Sequence, residues 1–215
     1  MKHLIVTGLI LSGFIFGCKK KESTTSPNPA PSTTGGGTTT GGSVININSV
    51  PQATFVLDGV SKSYVSDDTN IYGGSSSDSN GNDDYVYSSD IGDGNNITYF
   101  AVSKGTLQIG GLGGPPSDAV FKAFFPTGSK PYSVGAANGI KISITDALGT
   151  EWNSSFGTAN QTGSTFNILE TVDNPDLLGN FYLKVKATFS CKVYDGAGNS
   201  KTITNGLYIG DFGNF

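Results

Sequence analysis

The stretch FYLKVKATFSCKV, residues 181–193, alternates apolar and polar side chains without a break. Successive side chains of a β-strand point to opposite faces, so this pattern predicts a strand with one buried and one exposed face. The predicted exposed face carries Lys184, Lys186 and Lys192, and the other face carries Phe181, Leu183, Val185, Ala187, Phe189, Cys191 and Val193. Residues 195–199, DGAGN, are turn residues, and Ile203, Leu207 and Ile209 resume the alternation. We therefore predict a long antiparallel hairpin.

Similar runs fill most of the chain after Ser43. Ile140, Ile142 and Ile144 alternate with polar residues, and Phe55 and Leu57 precede a turn at 58–59 with a return strand over 61–66. Further candidate strands are 97–102, 106–110, 119–125 and 164–170. No window has a capped helical period, so helices should be few. We predict an all-β domain over 44–215, an antiparallel β-sandwich of about ten short strands or, alternatively, a curled sheet or small barrel.

Composition excludes several classes of function. The 215 residues include 31 glycines and a single histidine, His3, and the chain contains no arginine. If the N-terminal segment is cleaved, no histidine remains, and histidine-dependent catalysis and histidine metal sites are excluded. A net charge of −4 and a pI near 4.8 argue against nucleic acid as a partner.

The N-terminal residues have the pattern of an export signal. Lys2 and His3 precede an apolar run from Leu4 to Gly17 that is too short to span a bilayer, which is typical of a signal peptide over 1–17. Residues 15–18, Ile-Phe-Gly-Cys, resemble the lipobox of bacterial lipoproteins, and the resemblance implies that Cys18 becomes the lipidated first residue. The alternative is an ordinary signal peptide with an incidental cysteine.

Residues 18–43 predict a disordered tether. After three lysines the segment is rich in Ser, Thr, Gly and Pro and lacks the apolar residues that a core needs. Lys19 is not the Asp that marks inner-membrane retention in many such lipoproteins, so the resemblance implies an outer-membrane anchor. The predicted partner of this segment is the lipid bilayer, and which side of the membrane the domain faces stays open.

A second resemblance rests on two sequence segments: residues 53–64, ATFVLDGVSKSY, and residues 186–208, KATFSCKVYDGAGNSKTITNGLY. Together with the leader and the spacer they resemble a family of small, uncharacterised Gram-negative lipoproteins. The resemblance implies an all-β domain at the cell envelope and does not imply any particular activity.

Two groups of residues are candidates for ligand binding. The first group consists of alternate oxygen-bearing residues that are candidate calcium ligands: Asp78, Asn80, Asn82 and Asp84. Gly81 and Ser89 do not fit the EF-hand pattern, and the alternative is a solvated acidic loop. Calcium is the one cofactor that the sequence suggests. Trp152, Tyr85 and Tyr87 are candidate ligand-binding rings, with strand packing as the alternative reading.

Covalent and acid–base chemistry has little support. Glu151 and Glu170 are the two glutamates after Ser43, and nothing in the sequence fixes their distance from another carboxylate. Cys191 lies at an apolar position of the alternation in 181–193, so its thiol is predicted to lie on the apolar face of the strand. This predicts core packing rather than reactivity. We therefore expect a non-enzymatic binding or structural module at the envelope, whose partner is a glycan or an envelope protein. The alternatives are a glycan- or calcium-dependent binding domain and, less favoured, a carboxylate-dependent hydrolase.

Overall fold

A computed structural model describes residues 45–67, 71–79, 84–93, 98–109, 114–132 and 139–215, with only the backbone described for 71–79. The predicted signal peptide, Cys18 and the predicted tether lie outside the described residues. Residues Ser43–Phe215 form one compact unit. Among the residues described, no helix is long and apolar enough to cross a membrane.

The described chain is almost entirely antiparallel β-structure. Its strands are β1 (Gln52–Leu57), β2 (Val60–Val65), β3 (Ile71–Ser79), β4 (Asp84–Asp93), β5 (Tyr99–Gln108), β6 (Gly128–Ser129), β7 (Gly139–Thr145), β8 (Glu151–Asn153), β9 (Thr165–Asp173), β10 (Phe181–Tyr194) and β11 (Ser200–Asn214). One short helix, α1 (Asp118–Ala123), lies between β5 and β6. The all-β antiparallel prediction is confirmed.

Strands β10 and β11 are the two longest strands described, and they form a hairpin within the sheet. Its register runs from Phe181 opposite Asn214 to Tyr194 opposite Ser200, so the two strands pair along their whole length. In β10 the apolar positions from Leu183 to Val193 are buried, as the alternation predicts. The hairpin predicted from residues 181–209 is confirmed, and so are the strands predicted at 55–57, 61–66, 140–144 and 164–170, which correspond to β1, β2, β7 and β9.

The strands form a single sheet with the order β2-β1-β11-β10-β8-β7-β5-β4-β3. The long strand β10 is flanked on one side by β11 and on the other by β9 and then β8. Strand β11 also packs against β3 and β4, and the outermost strands β2 and β3 contact each other. The sheet is therefore curled into a half-barrel, which is the curled arrangement that the sequence left open beside a sandwich.

Aromatic rings fill the interior of the curled sheet. Phe100 lies at its centre, with ring centroids 5.4 Å from both Phe55 and Phe189 and 5.9 Å from Tyr208. These rings come from four strands that are distant in sequence, and Phe100 and Tyr208 are fully buried. Contacts of this kind between distant strands hold the curl together by burying apolar surface.

Two local predictions are wrong. Residues 119–125 were expected to form a strand, but Asp118–Ala123 is helical: Ser117 caps it by accepting a hydrogen bond from the Val120 amide at 3.4 Å, with Asp118 in the first turn and Lys122 in the last. Residues 97–102 and 106–110 were expected to be separate strands, but most of both lies in one strand, Tyr99–Gln108.

One turn design recurs at three hairpins. Asp146, Asp176 and Asp195 each begin an Asp-x-x-Gly-Asn/Thr segment in which one carboxylate oxygen accepts hydrogen bonds from two backbone amides, two and four residues further on. The fourth residue is a glycine with positive φ: Gly149 at 77°, Gly179 at 87° and Gly198 at 107°. Glycine adopts this conformation without steric cost, which explains its place in all three turns.

Candidate binding cleft

A cleft of about 490 Å³ opens where the ends of several strands meet. It lies between β1 and β2, the turn that joins β7 to β8, and the start of β11. Its side chains combine apolar, aromatic, hydroxyl and charged groups: Leu57, Lys62, Ser63, Tyr64, Thr98, Ile144, Thr145, Asp146, Ala147, Leu148, Trp152 and Lys201. A mixed lining and this volume are typical of small-molecule sites.

Three of the side chains that line the cleft form a fixed group. The Trp152 indole Nε1 donates a hydrogen bond to Asp146 Oδ2 at 3.0 Å. Lys201 Nζ lies 3.6 Å from the same oxygen and 3.7 Å from the centroid of a Trp152 ring. The lysine is thus held both by the carboxylate and by the aromatic face.

The turn design explains why Asp146 stays ionised. Desolvation opposes its ionisation, but hydrogen bonds from Trp152 and from the Thr150 and Leu148 amides, with Lys201 close by, lower the net pKa of the carboxyl. The carboxylate is therefore charged at neutral pH and fixes both Trp152 and Lys201.

The arrangement favours a ligand with an anionic group. Lys62 and Lys201 line the cleft with Asp146, so its lysines exceed its carboxylates by one. Trp152 is only 8% exposed and Lys201 covers its ring, so a neutral sugar would have to displace Lys201 to stack there. Of the three predicted ligand-binding rings, Trp152 is the one that lines the cleft.

Tyr85 and Tyr87 are core residues in this structure, so the prediction that they present exposed rings is wrong. Tyr87 is fully buried, and its ring lies edge-on to Phe121 at 4.7 Å between centroids. Tyr85 is 7% exposed, and its hydroxyl donates to the Gly114 carbonyl at 2.5 Å. Strand packing, the alternative reading of both rings, describes them.

The candidate calcium residues are only partly described. Asp78 lies in β3, where its backbone pairs with Val86, and Asp84 begins β4. Asn80 and Asn82 lie outside the described residues. Among the residues described, no group of three or more acidic, cysteine or histidine side chains is placed to hold a metal ion. A calcium site in this segment stays a prediction.

Cys191 packs in the core, as its parity predicts. It is 2% exposed, and burial raises the pKa of its thiol to about 12. A thiol that stays protonated and buried is a poor nucleophile. The two glutamates lie elsewhere: Glu151 is exposed and accepts a hydrogen bond from Asn153 at 3.3 Å, and Glu170 is exposed on β9 opposite Lys186.

Sequence reasoning found Trp152 but missed its partners. Asp146 follows the predicted strand at 140–144, where the sequence favours a turn, and Lys201 is 49 positions away from Trp152 in the chain. The pairing of β10 with both β8 and β11 brings these residues together, since Tyr194 lies opposite Asn153 and Ser200. No local pattern carries that information.

Comparisons with known proteins add no relative. No protein-family model matches the chain, and neither a curated protein nor a solved structure is significantly similar to it.

Proposed function

We propose that the chain is a membrane-anchored bacterial lipoprotein that acts as a non-enzymatic binding module at the cell envelope. The anchor is the acylated Cys18, and the ligand site is the cleft formed by Trp152, Asp146 and Lys201. The ligand is a small molecule with an anionic group, such as an acidic sugar.

The observation that carries the binding role is the position of Lys201. Its ammonium group is held between Asp146 and the Trp152 ring at the cleft wall, and the Lys201 side chain as a whole is 26% exposed. A preorganised, partly desolvated ammonium group binds an anion with little loss of side-chain entropy. Lys62 supplies a second ammonium group to the same cleft.

The anchor rests on the sequence around residue 18. The apolar run ends at Ile-Phe-Gly-Cys, and a tether-like segment of 25 residues separates Cys18 from Val44. Several acyl chains on one residue anchor far more firmly than one. Mass spectrometry of the protein from its native host should find an acylated N-terminal Cys18, and an intact leader or an unmodified Cys18 would contradict the anchor.

The single tryptophan, Trp152, is a built-in reporter for the cleft. Titration with uronic-acid oligosaccharides should shift its fluorescence in a saturable way, and Lys201→Met should weaken the affinity by about tenfold or more, since a hydrogen bond to a charged group is lost. Lys186→Met is the matched control, because Lys186 lies on the outer face of β10 and away from the cleft.

The same titration separates the alternatives. Neutral oligosaccharides that bind equally well to the Lys201→Met variant would favour a stacking glycan site, and a response to calcium chloride alone would favour a calcium-dependent domain. No saturable response to any of these ligands would contradict a role for this cleft in glycan or calcium binding.

A further inference from the structure

The turn between β9 and β10 presents two leucines to solvent. Leu177 is fully exposed and Leu178 is 88% exposed, the largest exposures among the big apolar side chains described apart from Leu148. Exposed apolar side chains that are adjacent at a tip mark an interaction surface more strongly than scattered ones.

The turn itself is firmly built. Asp176 Oδ1 accepts from the Leu178 amide at 2.8 Å and from the Asn180 amide at 2.9 Å, and Oδ2 accepts from Asn180 Nδ2 at 2.7 Å. The Asp176 amide donates to the Asn180 carbonyl at 3.0 Å. The leucines therefore project from a preorganised loop, which lowers the entropic cost of burying them against a partner.

The turn does not need a leucine at its second position. The segment 146–150 makes the same carboxylate hydrogen bonds and the same hydrogen bond from the glycine amide to the aspartate carbonyl, with Ala147 in place of Leu177 and Leu148 in place of Leu178. Because alanine satisfies the turn as well, turn formation does not explain the exposed Leu177.

Other exposed apolar residues lie at the same end of the sheet. Asn214 pairs with Phe181 at the start of β10, directly after the turn, so the terminal Phe215 is close to it. Phe215 and Val50 are each 47% exposed, and the Phe215 ring lies 5.8 Å from that of Tyr182. Together with Leu177 and Leu178 they form what we call the apolar end.

The chain also enters the domain at the apolar end. Strand β1 runs from Gln52 opposite Ile209 to Leu57 opposite Ile203, so the residues before Gln52 lie toward the Asn214 end of β11. Ser49 confirms this direction, because its carbonyl accepts a hydrogen bond from Lys184 at 3.3 Å, and Lys184 is near the start of β10. Any membrane anchor on the preceding segment is therefore attached to this end.

Acidic groups outnumber lysines around the apolar end. Asp173, Asp176 and Asp211 lie on or beside the turn, whereas Lys184 and Lys122 are the nearby cations and Lys122 pairs with Asp173 at 2.8 Å. This balance disfavours anionic headgroups and is compatible with uncharged, zwitterionic ones.

We propose that Leu177 and Leu178 insert into the interfacial region of a zwitterionic bilayer and dock the domain on the membrane to which its N-terminus is anchored. The inference rests on the proposed function, since the anchor supplies the membrane. It adds a second contact, which fixes the orientation of the domain and points the Trp152 cleft away from the bilayer, because Trp152 lies near the Tyr194 end of β10.

The test uses an artificial anchor, so that it does not depend on acylation. The chain from residue 18 onward, with Cys18→Ser and an N-terminal hexahistidine tag, is attached to phosphatidylcholine vesicles that contain a nickel-chelating lipid. An environment-sensitive dye is placed at Leu178→Cys or, as the matched control, at Ala197→Cys, the same position of the equivalent turn at the opposite end. Cys191 stays unlabelled in the folded protein because it is buried.

Insertion predicts that nitroxide lipids quench the dye at position 178 and not at position 197. Adding Leu177→Ala, which copies Ala147 of the 146–150 turn, should lower the ratio of inserted to free domains by about tenfold, the effect of losing most of one largely buried leucine side chain. Replacing part of the phosphatidylcholine by phosphatidylglycerol should reduce insertion further. Circular dichroism checks that each variant is folded.

Three outcomes are decisive. Equal, weak quenching at both positions would overturn the docking proposal even if Cys18 proves to be acylated. A blue shift at position 178 that grows with protein concentration in the absence of vesicles would overturn it in favour of a second copy of the chain. Quenching at position 178 with an unmodified Cys18 in the native protein would support membrane docking and contradict the lipid anchor.

Discussion

At the level of single residues, alternation along a strand predicts burial in β10 but not throughout β11, where a register shift places Tyr208 rather than Leu207 in the core. The thiol of Cys191 is buried as its parity predicts, since its neighbours on both sides in the strand obey the same alternation. Tyr85 and Tyr87 share one face of β4, and sequence could not show that α1 covers that face with Phe121 and Phe124.

Gly206 is a residue whose size the core dictates. A Cβ atom at this position would lie 2.6 Å from three ring carbons of Phe189, its partner across the hairpin. We expect Gly206→Ala to lower the free energy of unfolding by about 1–3 kcal/mol, because the overpacked ring must shift. Urea denaturation would measure this loss.

The Phe189→Leu background provides the control for Gly206. Leucine lacks the ring edge that meets the new methyl group, so Gly206→Ala should cost clearly less stability there than in the parent protein. An equal cost in both backgrounds would show that the clash with Phe189 is not the cause.

At the level of elements, the sequence predicted the hairpins whose strands and turns are contiguous. The strands at 52–65 and 181–214 follow from alternation on either side of a turn with recognisable chemistry. Strand β3 was not predicted, because 71–79 is rich in Gly and Ser and has little apolar alternation. Strand β4 was not predicted because the alternation at Tyr85 and Tyr87 gives way to Ser-Ser-Asp over 88–90, and its pairing with β5 maintains the strand there.

The Asp-x-x-Gly-Asn/Thr turns make a testable contribution to stability. Asp195→Ala removes the acceptor of hydrogen bonds from the Ala197 and Asn199 amides and from Asn199 Nδ2, at the turn that closes the longest hairpin. We expect the variant to melt several degrees below the parent protein, since two turn amides lose their partner. Differential scanning calorimetry would measure the shift.

Asp173→Ala is the comparison for this turn. Asp173 also carries an exposed charge, but its partner is Lys122 in a surface ion pair with both side chains nearly half exposed. Such pairs contribute little, so this substitution should leave the melting temperature almost unchanged. A loss as large as that of Asp195→Ala would contradict the importance of the turn hydrogen bonds.

At the level of the whole molecule, a buried lysine makes the stability depend on alkaline pH. Lys104 is 2% exposed inside the curl, 3.8 Å above the Phe124 ring, and burial, with Lys130 nearby, lowers its pKa from 10.5 to about 8. Between these two values the unfolded chain binds a proton that the folded chain does not. The Lys104 contribution to stability therefore rises with pH across this range.

Cys191 acts in the opposite direction. Its thiol has a pKa of 9.0 in the unfolded chain and about 12 in the folded one, so its contribution falls above pH 9. The Lys104 effect is isolated by comparison with Lys104→Met. The free energy of unfolding of the parent minus that of the variant should increase from pH 8 to 10.5, as followed by urea denaturation at each pH.

A flat difference between the parent protein and Lys104→Met over this pH range would mean that Lys104 keeps its proton inside the folded protein.

The contact between the outermost strands β2 and β3 has a consequence for association between molecules. A flat sheet of this many strands would expose two unpaired edges, and each edge could pair with strands of neighbouring molecules and initiate fibre formation. Bending brings these two edges close to each other, which leaves less room for a strand of another molecule to pair with either. The curvature that shapes the interior thus also disfavours edge-to-edge association.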